Sequence, residues 1–118
     1  EDEVLETIKE CFNETGYLLD THTAIGYGVL KQYQKNSGDN TKTILLSTAS
    51  PYKFPESVYK AIYGKELDVY NAIEQLNKKT GVNVPKGLVG IKEREILHKT
   101  QIDKSEIIDF IKAEIEAM

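Results

Sequence analysis

Apolar side chains open the chain at helical spacing, at Val4, Leu5, Ile8, Cys11 and Phe12. With acids in the first turn and Gly16 as a stop, this predicts a helix over about residues 2–14. Tyr17-Leu18-Leu19 is then a brief apolar run that ends in the polar cluster Asp20-Thr21-His22-Thr23, which reads as a short strand. Ala24, Ile25, Val29 and Tyr33 return to one helical face, with Thr21 or Thr23 available as a cap, until Asn36-Ser37-Gly38-Asp39-Asn40 dissolves the helix. Gly26 and Gly28 lie inside that helix, where each costs about 1 kcal/mol against Ala, so a close approach to their face is expected.

The stretch that organises the rest is Thr43-Ile44-Leu45-Leu46, an apolar run ending in Ser47-Thr48-Ala49-Ser50 and then Pro51 to Pro55. It reads as a strand buried on both faces, the habit of parallel sheets covered by helices. Strand, helix, loop and strand make a right-handed βαβ unit over about 16–48, and residues 21–42 suffice for its crossover. The two polar clusters, Asp20 to Thr23 and Ser47 to Ser50, then fall on one carboxyl edge, where open α/β sheets hold ligands. A plain strand-to-helix turn, with hydroxyls satisfying nearby backbone groups, accounts for the same residues.

Beyond it, Pro55 opens a short helix with Val58, Ala61 and Ile62 on its face, ending near Gly64. Val69, Ala72, Ile73 and Leu76 stripe a helix from about 66 to 80, closed by Lys78, Lys79 and Gly81. Residues 82–90 suit a loop over a core, and 91–99 fit either a short strand or a helical turn. Asp103 with Glu106 is a capping-box pattern before a helix whose stripe Ile107, Ile108, Ile111 and Ile115 is expected to be buried. The expected class is α/β: a three-layer fragment, 1–118 as one unit, with a short parallel sheet portion and a helix-rich C-terminus.

Composition narrows the function. The chain has 118 residues, a formal charge of −4 and basic residues interleaved with acids, against a nucleic-acid surface. No apolar run approaches the ~20 residues a bilayer requires and no signal peptide is visible, so no membrane role and a cytoplasmic setting are expected. One Cys, reading as a small buried thiol, and two His make neither a disulfide framework nor a zinc site. The start at Glu1, within helical patterning, reads as a piece of something longer. There is no nucleophile elbow and no glycine-rich phosphate loop. Lys53 could contact an anion or be a solvated surface charge. The 7 tyrosines read as core and rim packing.

Two stretches carry a family likeness. Tyr17-Leu18-Leu19-Asp20-Thr21-His22-Thr23-Ala24-Ile25-Gly26 resembles the threonine synthase pattern Gly-Tyr-x-x-Asp-Pro-His-Thr-Ala-Val-Gly. Leu46 to Glu56 resembles that family's Ser-Thr-Ala-His-Pro-Ala-Lys-Phe-Pro-Glu, and Val84-Pro85 with the Lys-Ser-Glu-Ile-Ile helix is similar to its C-terminal end. The resemblance implies the C-terminal part of the large, cofactor-binding domain of a tryptophan-synthase-β-like enzyme. That enzyme uses pyridoxal 5'-phosphate to convert O-phospho-L-homoserine and water to L-threonine and phosphate. Its Schiff-base lysine and phosphate cup belong to upstream motifs not seen here, so the isolated chain is expected to be inactive and free of cofactor.

In such enzymes a Ser or Thr hydroxyl hydrogen-bonds the pyridine nitrogen, and the matching position is Thr48. Asp20, His22, Ser47, Ser50 and Lys53 are the accompanying candidates for lining the site. Thr21 stands where the family has Pro, and Ser50 where it has His. A fragment of this kind would expose apolar faces and self-associate. The rival reading is a free-standing α/β module that binds a partner or metabolite without catalysis.

Overall fold

The computed structural model describes residues 2–118, and among them every regular element is helical. Helix α1 spans Asp2–Thr15, α2 Thr21–Ser37, α3 Pro55–Tyr63, α4 Val69–Thr80 and α5 Ile107–Glu116. Short 3-10 turns lie at Pro51–Lys53, Lys86–Leu88, Ile91–Glu93 and Lys104–Glu106.

Local chemistry sets these boundaries. Asp20 caps α2, its carboxylate accepting from the N–H groups of His22 and Thr23, so the cap is the aspartate and neither predicted threonine. Asp68 caps α4 in the same way, which moves its start to Val69. Pro55 occupies the first turn of α3, where its missing N–H costs nothing, and Gly64 ends it with φ 66°, a left-handed conformation that glycine adopts without strain. The predicted capping box before α5 is present, Asp103 and Glu106 each accepting from the other's backbone.

Helix α1 packs against α2 and α3, and α3 packs against α4. The core is built from Ile8 and Cys11 of α1, Leu18 and Leu19, Ala24 of α2, Tyr52, Val58, Tyr59 and Ala61 around α3, and Ala72 and Leu76 of α4. Lys79 fastens the end of α4 to α3. Its ammonium donates to the Tyr59 hydroxyl at 2.9 Å and lies 4.4 Å from the centre of the Tyr63 ring.

The predicted α/β class is overturned, because neither apolar run forms a strand and the described residues contain no sheet. A strand is defined by a partner ladder. Tyr17-Leu18-Leu19 is instead an extended connector between α1 and α2, with Leu18 and Leu19 pressed into the helical core. Ile44 and Leu46 are 86% and 75% exposed, the opposite of burial on both faces. The expected βαβ unit over 16–48 is therefore one long helix with an irregular segment on each side, and the three-layer arrangement is replaced by packed helices. Residues 91–109 are exposed throughout, and α5 buries none of its side chains. The stripe of Ile107, Ile108, Ile111 and Ile115 expected to be buried is exposed instead, no other element among the described residues packing over it. The radius of gyration, 19.1 Å, accordingly exceeds the about 13 Å of a compact domain this long.

Candidate functional site

The site grows from the start of α2. Asp20 is 1% exposed yet charged, so its carboxylate must be satisfied from within. The His22 and Thr23 N–H groups donate to Oδ1 at 2.8 and 3.2 Å, and the Thr23 hydroxyl donates to Oδ2. His22 Nδ1 stands 3.3 Å from Oδ1. Burial works to raise the carboxyl, but the Thr23 hydroxyl, the two N–H groups and His22 outweigh it and hold it below the usual range.

Thr23 also bridges to the second polar cluster. Its Oγ1 lies 3.5 Å from Ser47 Oγ, at the outer limit of a hydrogen bond. Gly26 supports the same joint, because a Cβ there would come within 3.2 Å of Leu45 Cδ1. The expected close approach is thus real at both glycines: at Gly28 a Cβ would meet Thr7 Oγ1 of α1, also at 3.2 Å.

After Ser47 the chain turns. Ser50 Oγ accepts from the Tyr52 N–H at 3.2 Å and its carbonyl from the Lys53 N–H at 2.9 Å, closing the Pro51–Lys53 turn. Tyr52, 2% exposed, donates its hydroxyl to the Val82 carbonyl at 2.5 Å. Burial pushes this phenol up, with Asn77 acting against it.

The candidates fall around two hollows. Thr48, Ser50 and Lys53 line one of about 620 Å³, whose far wall comes from Val69, Tyr70 and Ile73 of α4 and from Leu88. His22 lines another of about 350 Å³ with Thr21, Phe54 and Ser57. Phe54 stands between them, its ring 5.5 Å from that of His22 and 5.7 Å from Lys53 Nζ. Asp20 and Ser47 belong to the Thr23 bridge. Sequence reasoning missed Tyr52 as part of this site; an aromatic residue set among turn-forming prolines was the available signal.

The larger hollow has a definite chemical character. Its lining carries four hydroxyl-bearing residues, Thr48, Ser50, Tyr52 and Tyr70, and the Lys53 ammonium among apolar side chains, and none of its lining residues is a carboxylate. Such a set suits a partly apolar ligand with hydrogen-bonding or anionic groups. Among the described residues there is no grouping of three His, Cys, Asp or Glu side chains that could hold a metal ion, and no helix is long and apolar enough to cross a membrane.

Comparison with known proteins matches residues 23–107 to the family described as "Threonine synthase, C-terminal". A threonine synthase of Pseudomonas aeruginosa is 38% identical over 65 residues, 55% of this chain and 13% of that protein. One of Schizosaccharomyces pombe is 36% identical over 62 residues, 52% of this chain and 12% of that protein. The aligned regions thus span about an eighth of the length of these relatives.

Proposed function

The chain belongs to the threonine synthase C-terminal family, and from that membership we propose that it is the C-terminal part of an enzyme that converts O-phospho-L-homoserine and water to L-threonine and phosphate with pyridoxal 5'-phosphate. The observation that carries this reading is the Thr48 hydroxyl at the rim of a hollow lined by Ser50, Lys53 and an apolar wall, inside the matched residues. The donor set fits the cofactor. A hydroxyl can donate to the ring nitrogen and remains neutral, whereas a carboxylate there would hold that nitrogen protonated.

When bound, the cofactor supplies the electron sink for the reaction. The work of this chain's own residues is narrower. Thr48 holds and orients the ring, Lys53 offers a positive charge at the rim for an anionic substrate, and the apolar wall limits water. Asp20, through Thr23 and Ser47, keeps the segment bearing Thr48 against α2. The lysine that carries the cofactor and the cup for its phosphate come from elsewhere in the longer polypeptide, so the isolated chain is inactive. The test is an assay of the complete polypeptide with O-phospho-L-homoserine and the cofactor. Equimolar threonine and phosphate are expected from it and none from residues 1–118 alone. Failure of the complete enzyme to release phosphate, or turnover by the isolated chain, would contradict the reading.

A further inference from the structure

Thr48 itself is exposed, and among the described residues no side-chain hydrogen bond aims it. The chain just before it meets α2 through Ser47 and Thr23, and the chain just after it is held by the turn that follows. That turn is closed locally by Ser50 and tethered over a distance of thirty residues by Tyr52, whose phenol reaches the Val82 carbonyl at 2.5 Å. Val82 follows the end of α4, the helix that forms the opposite wall of the hollow. We propose that the Tyr52 hydroxyl is a positioning group, fixing the distance and register between the Thr48 turn and the α4 wall and thereby aiming the Thr48 hydroxyl at the cofactor ring. The inference rests on the assignment of Thr48 above.

A merely structural bond can be told apart, because the Val82 carbonyl has a second donor. Asn77 Nδ2 donates to it at 3.0 Å. Deleting the Tyr52 hydroxyl therefore leaves no orphaned acceptor, and Phe would keep the ring packing. The fold is retained while the hydrogen bond from the Thr48 turn to the segment after α4 is lost.

The experiment measures the cofactor's dissociation constant in the complete polypeptide for wild type, Thr48→Val, Tyr52→Phe and the double variant. Tyr59→Phe serves as a control, since that buried tyrosine is hydrogen-bonded by Lys79 away from the hollow. Tyr52→Phe is expected to weaken binding about fivefold, the size of one lost net hydrogen bond. It should have less than about a twofold effect once Thr48→Val is present, because the group it aims is gone. The control should stay within about twofold of wild type. If Tyr52→Phe does not fold, Ser50→Ala provides the test. Because Ser50 also lines the hollow, the loss in binding is read in both backgrounds, a loss that falls below about twofold with Thr48→Val supporting positioning through the turn and one that persists overturning it. A loss with Thr48→Val but none with Tyr52→Phe, or equal losses from Tyr52→Phe in both backgrounds, would overturn the positioning role. No loss with Thr48→Val would instead overturn the assignment of Thr48.

Discussion

Asp20 carries more than a helix cap. Its buried carboxylate satisfies two N–H groups and the Thr23 hydroxyl, and Thr23 in turn meets Ser47. Asp20→Ala should lower the unfolding free energy of the isolated chain by about 2–3 kcal/mol, one cap plus an unsatisfied hydroxyl. Urea titration at neutral pH measures it. The charge gives the bond a pH signature. Because the folded carboxyl is held below its unfolded value of about 3.9, its contribution is fully present above that value and is lost as pH falls through the folded one. Between pH 6 and 3 wild type should therefore lose more stability than Asp20→Asn. Parallel curves for the two proteins would show that the carboxylate is not held in its charged form.

At the scale of elements, the contact between α1 and α2 depends on Gly28. Alanine there would gain about 1 kcal/mol of helix propensity but bring its Cβ to 3.2 Å from Thr7 Oγ1. Thr7 is held by its own bond to the Glu3 carbonyl at 2.7 Å, so it does not yield freely. Gly28→Leu should destabilise by about 1–3 kcal/mol through overpacking. Gly28→Ala should be more favourable in a Thr7→Ala background than alone, which a double-mutant cycle of thermal melts would detect.

The same elements show what the sequence could disclose. Helices α1 to α5 were legible because an apolar stripe is joined in each by a start signal, a stop or both, as Val69, Ala72, Leu76 and Gly81 show for α4. The two short runs were not. Three or four apolar residues carry no period, and whether Leu18-Leu19 or Ile44-Leu45-Leu46 pairs with a neighbouring strand depends on chain elsewhere. The proximity of the two polar clusters was anticipated for the wrong reason, since a helix-start carboxylate and Thr23 bring Ser47 in, with no sheet edge involved. Tyr52 escaped notice because its acceptor, a backbone carbonyl, leaves no mark in the sequence.

Taken whole, the molecule exposes much that is apolar. Ile25, Val29 and Tyr33 stand on the outside of α2, Ile44 and Leu46 beside them in sequence are bare, and the α5 stripe is open. The isolated chain is therefore expected to self-associate, with a weight-average mass in sedimentation that rises with concentration. Leu46→Lys combined with Ile108→Lys should reduce that rise without lowering the melting temperature, since neither side chain belongs to the core. In the complete enzyme proposed above, the neutral Thr48 hydroxyl is expected to meet the ring nitrogen of the cofactor. The most direct measurement is the nitrogen-15 resonance of ring-labelled pyridoxal 5'-phosphate bound to the complete enzyme, compared between wild type and Thr48→Val. The account predicts a hydrogen-bonded, unprotonated nitrogen in wild type whose resonance moves toward that of an unbonded ring in the variant. A resonance unchanged by the substitution, or one typical of a protonated ring in wild type, would contradict it.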